Sequence, residues 1–442
     1  MKLPASPPDP LVVLKDLQML ERIFRDPPGP EIRGHYLHWD EVRRRSAPAG
    51  WTHDQWWAGI ELARRQMRRR LPLIDARGSA FEFATPDEVQ RLLHEVDRDL
   101  GGRIELPEHI NSPEVRDRYV ISSLIEEAIT SSQLEGASTT RQVAKEMIRS
   151  GRPPRTDGEK MILNNYRAME FIGTKVGAPL TRDVVLELHE VLTRDILDPL
   201  SGAGRFRRAE EAIHVVDEDD GTTLHVPPPS SSLAQRMAAM CRFANGETPD
   251  FFVHPVIRAI LLHFWLAHDH PFVDGNGRTA RALFYWSLQA SQDYWLVRFL
   301  SISRILKKAP AQYSRAFLYS ETKGNDVTYF LIHQLHVIRK AVDELIVYIK
   351  RKLAEVRDVE SQLKLDGELN HRQLALLGHA IRHPGFLYTI DSHRHSHNVV
   401  YQTARTDLLD LAERGLLKQR KQGRRFVFEA PSRLEDRYKG RR

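Results

Sequence analysis

The most constraining feature of this 442-residue sequence is a run of helical periodicity from residue 106 to about residue 345. Apolar residues recur there at three- and four-residue spacing, as in HPVIRAILLHFWLAHDH, which is typical of helices that bury one face or all faces. The pattern predicts a mainly α fold.

One segment interrupts this pattern. Two short β-branched runs, Ile213 to Val216 and Thr222 to Val226, flank an acidic turn that contains glycine. They predict a β-hairpin at residues 213–226 inside the helical domain. An exposed hairpin edge can pair with an extended segment of another protein, and a surface excursion without a partner is the alternative.

The length of the chain favours two or three domains. The N-terminal region, residues 1–105, opens with proline-rich segments and then becomes helical. Its segment THDQWWAGIELARRQMRRR predicts a helix with Thr52 or Asp54 as the N-cap. The helical core is expected at residues 106–340.

The C-terminal part has a different pattern. Residues 341–365 belong to a long charged segment that predicts a linker helix between domains. Residues 366–430 contain two amphipathic helical segments and then two short strands around Gln422-Gly423, a pattern that predicts a winged helix-turn-helix.

Composition places the chain among cytoplasmic proteins without a membrane span. No apolar run reaches the ~18 residues that a membrane helix needs, and MKLPASPPDP lacks an apolar signal-peptide core. The single cysteine, Cys241, excludes an internal disulfide and is expected to be buried. Basic residues cluster at Ala63–Arg70, where a solvated face is expected, and at Lys418–Arg425 in the wing.

The densest group of reactive side chains is HPFVDGNGRTAR, from His270 to Arg281. Gly275-Asn276-Gly277 lets successive backbone N–H groups converge on an anion at the start of a helix, although no Walker P-loop pattern is present. Arg278 and Arg281 are three residues apart and therefore share a helix face. The segment predicts a phosphate cradle.

Two neighbours of the cradle suggest a reaction. Asp274 is a hard oxygen ligand suited to Mg²⁺, and His270 is a candidate general base, while Phe272 is expected to anchor the loop in the core. Together these groups suggest that a base deprotonates a hydroxyl while a metal ion and arginines hold a polyphosphate. A plain polar turn with a core histidine explains only parts of the constellation.

A transition-metal site is the rival interpretation of the histidines in this region. It would use His254, His263, His268 and His270, but His263 and His268 lack the i, i+4 spacing that puts two ligands on one helix face. The spacing therefore disfavours this rival interpretation.

The motif resembles the Fic-domain signature, H-x-F-x-[DE]-G-N-G-R-x-x-R, at every fixed position. The sequence is thus similar to the Fic-domain protein adenylyltransferases, whose members mostly transfer AMP from ATP to a protein hydroxyl and release pyrophosphate. The resemblance implies ATP and Mg²⁺ as cofactors and a Ser, Thr or Tyr hydroxyl of a protein as the acceptor. It assigns a base (His270), a metal ligand (Asp274), an anion hole (Gly275, Asn276, Gly277) and phosphate contacts (Arg278, and Arg281 for the γ-phosphate). The hairpin becomes a flap that aligns the target by strand addition.

A second segment, SSQLEG at Ser131–Gly136, resembles the family's inhibitory motif [ST]-x-x-x-E-[GN]. A carboxylate in the last turn of a helix opposes the helix dipole by about 0.3–1 kcal/mol unless it has a cationic partner. The resemblance implies that Glu135, on an inhibitory helix at about residues 121–136, pairs with Arg281 and denies it to the γ-phosphate. Ser131 would fix the helix, and Gly136 would end it.

Several alternatives stay open from the sequence. The same site could remove AMP from a modified protein, or use another nucleotide or a phosphocholine-type donor. A non-enzymatic alternative is a DNA-binding regulator whose core senses nucleotide, and a homodimer is a further option. The winged helix could read DNA or dock a protein. Its DNA-contacting candidates are Gln402, Thr403 and Arg405 on the recognition helix and Lys421 and Arg424 on the wing.

Overall fold

A computed structural model describes residues 2–13, 15–103, 113–197, 202–217, 220–291, 294–322, 324–363, 369–383, 386–422 and 425–430. The protein is mainly α-helical with a few small antiparallel sheets, which confirms the predicted fold class. Among the described residues, no helix is both long enough and apolar enough to cross a membrane.

The elements follow the chain in this order. The helices are α1 (Pro10–Val13), α2 (Leu17–Arg25), α3 (Trp39–Val42), α4 (His53–Arg65), α5 (Asp87–Arg98), α6 (Pro113–Leu134), α7 (Arg141–Ser150), α8 (Asp157–Thr174), α9 (Arg182–Thr193), α10 (Leu233–Ala244), α11 (Pro255–Asp269), α12 (Asn276–Ala290), α13 (Ile302–Lys308), α14 (Pro310–Thr322), α15 (Thr328–Leu363), α16 (His371–Arg382), α17 (Ile390–His397) and α18 (Tyr401–Glu413). The strands are β1 (Arg69–Ile74), β2 (Ala80–Phe83), β3 (Val215–Val216), β4 (Thr223–His225), β5 (Leu387–Thr389), β6 (Lys418–Gln422) and β7 (Arg425–Glu429).

The N-terminal region contains a β-hairpin that the sequence interpretation missed. Helix α4 has Thr52 as its N-cap, as expected, but it ends at Arg65, and Arg69 and Arg70, which were expected to continue it, begin strand β1. Pro72 cannot sit in a helix interior, and Leu71 and Leu73 alternate into the core as strand residues do. Strand β1 pairs antiparallel with β2.

The basic cluster at Ala63–Arg70 is not a wholly solvated face, which corrects that expectation. Arg64 is fully buried: its Nε donates to Pro30 O (2.8 Å), and its guanidinium lies 3.6 Å from the Tyr36 ring centroid. Arg68 pairs with Asp326 at 2.8 Å. These two arginines therefore hold the N-terminal region against the helical core.

The centre of the molecule is the antiparallel pair α11 and α12, joined by the loop at residues 270–275. Nearly every residue of both helices is buried, including Phe264, Trp265 and Phe284. They are the middle of one large hydrophobic core that reaches from β1 to α15. The short loop between two buried helices is therefore held rigidly from both ends.

Helix α6 carries the predicted inhibitory segment, although it begins at Pro113, ahead of the expected residue 121. Ile125, Ile129 and their neighbours pack in a small apolar cluster with α7 and α8. The helix ends at Leu134, and Gly136 follows with a left-handed backbone, φ 90°. Glu135 is thereby presented at the tip of a packed helix.

The expected linker helix is part of a longer element. Helix α15 begins at Thr328, inside the segment assigned to the core, and runs to Leu363, so the expected boundary at 340/341 falls within one helix. Phe330, Leu331 and Leu335 are fully buried in the main core. The first half of α15 is therefore a core helix.

The C-terminal unit has its own apolar core, which includes Leu377, Leu408 and Phe428. Its sheet has the order β5-β7-β6, all antiparallel, and contains the two expected strands together with β5, which was not expected. Helix α17 was also missed, and Asn398, with a left-handed backbone, separates it from α18. The function of this winged-helix-like unit stays a prediction.

Candidate active site

The loop between α11 and α12 is built by local hydrogen bonds. His270 ends α11 with a left-handed backbone (φ 44°), which is uncommon for a residue with a side chain and marks a constrained site. Phe272 is fully buried, as expected, and exchanges two 2.9 Å hydrogen bonds with the Asn276 side chain. The Asn276 side chain thus joins the start of α12 to the middle of the loop.

The His270 ring is oriented as a proton acceptor. Its Nδ1 lies 3.2 Å from Ala267 O, and since a carbonyl only accepts, Nδ1 must carry the ring proton. Nε2 is then left with its lone pair. Burial lowers the pKa of His270 to about 4, against the opposing hydrogen bond to Ala267, so the ring is neutral near pH 7.

The expected anion cradle lies at the start of α12. Gly275 caps the helix with a left-handed backbone (φ 82°), and Asn276 and Gly277 form its first turn. The first N–H groups of a helix lack partners within it and carry partial positive charge. A Cβ on Gly277 would lie 2.3 Å from Oε1 of Glu135 and 2.9 Å from Nη1 of Arg281. The Glu135 carboxylate therefore lies against Gly277, in the first turn of α12.

Asp274 and Arg278 form a pair beside the cradle. Arg278 Nη2 donates to Asp274 Oδ2 at 2.8 Å and Nη1 donates to Leu192 O at 3.4 Å, and the Arg278 side chain is fully buried. The Asp274 side chain is 44% exposed, and its Oδ1 accepts from Gly275 N at 2.6 Å. Arg278 thus orients the carboxylate, while its own guanidinium faces away from solvent.

Arg281 faces a different set of partners. Its Nη2 donates to Glu135 Oε1 (2.8 Å) and to Ser131 O (3.0 Å), and its Nε donates to Ser131 Oγ (2.8 Å). The Arg281 side chain is 2% exposed. Burial alone would lower the pKa of Arg281, but the Glu135 carboxylate raises it, so the guanidinium stays charged. The structure therefore brings Ser131, Glu135 and Arg281 together.

Two residues that support the loop were not singled out from the sequence. His189, on α9, stacks on Phe272 at 3.7 Å and donates from Nε2 to Asp274 O at 2.9 Å, while its Nδ1 accepts from Gly204 N. Burial lowers the pKa of His189 to about 4. Its only signal in the sequence is a polar residue on an otherwise apolar helix face.

Arg207 is the second missed residue. Its Nε donates to His270 O and its backbone N donates to Pro271 O, both at 2.8 Å. A third hydrogen bond joins its Nη2 to Pro228 O, just beyond the hairpin. Arg207 thereby joins the loop between α11 and α12 to segments on both sides of the hairpin, and no local pattern in the sequence marks this role.

The expected hairpin is present as β3 and β4, with Val215 opposite His225 and Val216 opposite Thr223. Residues 218–219 of its turn lie outside the described residues. Val216 and Val226 are about half exposed, at 48% and 57%. The hairpin therefore offers apolar side chains and strand backbone next to the catalytic loop.

The four histidines of the rival metal site face different partners. His254 lies 3.0 Å from Asp97 Oδ2, and His263 lies 2.7 Å from the Tyr313 hydroxyl. His270 Nδ1 faces Ala267 O, and His268 Nδ1 lies 3.6 Å from Glu321 Oε1.

The candidate nucleic-acid contacts are partly described. Gln402 and Arg405 are exposed on the first turns of α18, Thr403 is half-buried, and Lys421 is exposed on β6. Arg424 lies outside the described residues. The exposed side chains are available to a ligand, but nothing in their arrangement selects DNA over protein.

Comparison with known proteins adds a family match. Residues 179–288 match the model of the Fic/DOC family. A 129-residue stretch is 37% identical to "Protein adenylyltransferase Fic" of Drosophila grimshawi and 38% identical to that of Drosophila virilis. Each alignment covers 29% of this chain and 24% of the relative, so the chain spans about a quarter of the length of these relatives.

A solved structure is similar over more of the chain. It is a Fic family protein from Desulfovibrio desulfuricans G20, with a TM-score of 0.50 and 18% identity, and the match covers 78% of this chain and 96% of that one. At that identity the likeness concerns the fold alone.

Proposed function

We propose that this chain, which carries a Fic/DOC domain at residues 179–288, is a protein adenylyltransferase held inactive by Glu135. It transfers AMP from ATP to a Ser, Thr or Tyr hydroxyl of a target protein and to itself. The names of the relatives and the complete motif from His270 to Arg281 support this reaction.

The His270 geometry supports the base step. The acceptor hydroxyl gives its proton to Nε2 of His270 as its oxygen attacks the α-phosphorus. The new oxygen–phosphorus bond forms as the bond between the α-phosphorus and the bridging oxygen breaks, and pyrophosphate leaves with that oxygen. Because Nδ1 is held by Ala267 O, the ring presents the correct nitrogen before substrate arrives.

The cradle and the arginine of α12 hold the phosphates. The N–H groups of Asn276 and Gly277 face charge that builds up in the transition state, and the N–H of Gly275, which now donates to Asp274 Oδ1, would join them once it is released. Arg281 would hold the γ-phosphate once Glu135 leaves. Arg278 is buried against Asp274, so a direct phosphate contact by Arg278 requires its side chain to move, and its present contact supports a role in positioning Asp274.

The residues fit a magnesium ion. Mg²⁺ binds proteins through one or two carboxylates together with substrate phosphates and water, and Asp274 offers one partly exposed carboxylate beside the cradle. Asp274 would hold the ion, which neutralises phosphate charge when bound. The Asp274 carboxylate is oriented by two hydrogen bonds: Arg278 Nη2 donates to Oδ2, and Gly275 N donates to Oδ1.

One observation carries the inhibition: the Glu135 carboxylate lies against Gly277 of the cradle and accepts a hydrogen bond from Arg281. A carboxylate and a phosphate compete for the same positive groups, so ATP cannot take its productive position while Glu135 stays. A charge-assisted hydrogen bond contributes about 1.5–3 kcal/mol, or roughly 10- to 200-fold in an equilibrium. Release of Glu135 is therefore expected to raise activity by about that factor.

The flap is proposed to align the target. A target segment would extend the hairpin as an added strand, with Val216 and Val226 contacting its side chains. The winged-helix-like unit would bind DNA or a second protein through α18 and β6. These partners, and a homodimer formed through the same unit, are proposed from its sequence pattern.

The reaction can be tested with the Glu135→Gly variant, Mg²⁺ and ATP labelled on either the α- or the γ-phosphate. Transfer of AMP predicts that only the α-label enters protein, and mass spectrometry should find AMP on a hydroxyl side chain. The double variant Glu135→Gly, His270→Ala should lose about 10²–10⁴-fold of this activity. Incorporation of the γ-label, or full activity without His270, would refute the proposal.

Removal of AMP by the same site is a second candidate, favoured by the Glu135 side chain. Glu135 binds Arg281 through Oε1, and among the described residues no hydrogen bond engages Oε2. Oε2 could orient a water molecule toward an adenylylated substrate. Incubation of wild type and Glu135→Gln with an adenylylated target separates the two activities, since only removal of AMP requires the carboxylate.

A further inference from the structure

Three metal-ligating side chains meet beside the active site, and none of the three has a role in the proposed transfer. His225 lies on flap strand β4, His268 in the last turn of α11, and Glu321 in the last turn of α14. One ligand atom from each side chain lies within 4.8 Å of the others. Within the part of the chain that the structure describes, this is the one group of three such residues.

His225 is oriented as metal-binding histidines commonly are. Its Nε2 lies 2.7 Å from His268 O, so Nε2 carries a proton and donates to the carbonyl. Its Nδ1 faces Glu321 Oε2 at 2.8 Å. A histidine that binds a metal through one nitrogen usually donates its other N–H to a backbone carbonyl, which fixes its tautomer.

His268 supplies the second, independent observation. Its side chain is 5% exposed, and neither ring nitrogen has a hydrogen-bond partner among the described residues. Glu321 Oε1 lies 3.6 Å from Nδ1, which is too long for a hydrogen bond. A buried polar group without a partner costs about 1–3 kcal/mol, so an unpartnered imidazole aimed at a carboxylate points to a missing ligand.

The surroundings of His268 keep its ring in place. Phe264 stacks on it with centroids 5.9 Å apart, and Phe81 contacts it edge-on at 4.9 Å. Both phenylalanines are fully buried. Glu321, which is 25% exposed, leaves a route from solvent to the three side chains.

We propose that His225, His268 and Glu321 bind a Zn²⁺ ion that fixes the flap to the helical core. Two imidazole nitrogens and a carboxylate oxygen are a donor set that Zn²⁺ accepts, with a water molecule as fourth ligand. Mg²⁺ prefers oxygen ligands and is not expected there. The ion would replace the proton between His225 and Glu321, and it would hold β4 next to the loop that carries His270.

The site is distinct from the Asp274 site and does not depend on the proposed transfer of AMP. Its test is metal binding itself, which a failure of the transferase proposal would leave untouched. The full-length protein, without a histidine tag, is stripped with a chelator and dialysed against Zn²⁺ in the presence of excess Mg²⁺. Bound zinc is counted by mass spectrometry, and affinity is measured by competition with a chromogenic chelator.

The proposal predicts about one zinc ion per chain and a rise in melting temperature on zinc binding. Glu321→Gln and His268→Gln should each bind zinc at least about tenfold more weakly. His254→Gln is the matched control, because it removes a different histidine that also contacts a carboxylate, Asp97, and it should bind zinc like wild type.

Circular dichroism checks that each variant is folded, and Glu321→Gln keeps the test valid if the buried His268→Gln does not fold. Absence of tight zinc binding in wild type would overturn the proposal. So would zinc binding that survives Glu321→Gln, or that is lost equally in His254→Gln.

Discussion

Gly277→Ala is a sensitive probe of the contact between Glu135 and the cradle. The added methyl carbon would lie 2.3 Å from Glu135 Oε1, about 1 Å short of the ~3.5 Å at which carbon contacts begin to be favourable. Gly277 does not have a positive φ, so alanine suits its helical backbone. The substitution therefore tests mainly the contact with Glu135, with a lesser one, 2.9 Å, to Nη1 at the end of the Arg281 side chain.

The cost can be estimated from two opposing effects. Overpacking costs about 1–3 kcal/mol, and if Glu135 moves aside instead, the lost bond to Arg281 costs about 1.5–3 kcal/mol. Replacing glycine by alanine in a helix returns roughly 0.5–1 kcal/mol. A net loss of about 1–2 kcal/mol is expected in wild type.

The same substitution should behave differently without Glu135. In a Glu135→Ala background the carboxylate is absent and only the 2.9 Å contact with the flexible end of Arg281 remains, so Gly277→Ala should be close to neutral. Urea unfolding of the four proteins gives the coupling energy, expected at about 1–3 kcal/mol. An equal loss of stability from Gly277→Ala in both backgrounds would refute the placement of Glu135 on the cradle.

Three further outcomes are expected. Ser131→Ala removes the 2.8 Å hydrogen bond that Arg281 Nε donates to Ser131 Oγ. The variant should incorporate the α-label faster than wild type but more slowly than Glu135→Gly. A rate at or below that of wild type would contradict this expectation. His189→Phe should keep its stacking on Phe272 but lose the bond to Asp274 O, which should weaken Mg²⁺-dependent transfer in a Glu135→Gly background without loss of fold. Burial lowers the pKa of His189 and of His270 to about 4, below the ~6.5 of an unfolded histidine. Between these pH values the unfolded chain therefore binds more protons than the folded chain. The free energy of unfolding should accordingly fall as pH drops from about 6.5 towards 4. Urea unfolding at pH 7.5, 6.0 and 5.0 measures that slope, and His189→Phe should reduce it.

The loop could be predicted from sequence because its chemistry is local. The candidate base, the candidate metal ligand, the glycines and the arginines fall within twelve consecutive residues, and the structure places them on one loop and the first turns of the helix that follows. The contact between Glu135 and Arg281 spans 146 residues (281 − 135). It was expected only because SSQLEG resembles a family motif.

Other features depend on tertiary contacts that no local pattern carries. Arg207 acts through backbone carbonyls of two separate loops, and the His189 contacts need α9 to lie against the catalytic loop. Helix α4 was extended too far because Arg69 and Arg70 favour helix as well as strand, although Pro72 marked the change. Helix α17 was missed because its sequence, IDSHRHSH, lacks an apolar period.

The central claim is that Glu135 blocks the site by holding Arg281 and covering the cradle. The most direct measurement is the initial rate of α-label transfer by wild type, Glu135→Gly and Glu135→Gln, with Glu146→Gln, an exposed glutamate on α7, as the matched control. For Glu135→Gly the rate is expected to rise roughly 10- to 200-fold. For Glu135→Gln, which keeps the bulk of the side chain but loses its charge, the rise in rate should be smaller. The rate of Glu146→Gln should equal that of wild type. Equal rates for wild type and Glu135→Gly, in protein shown to bind ATP, would contradict the account.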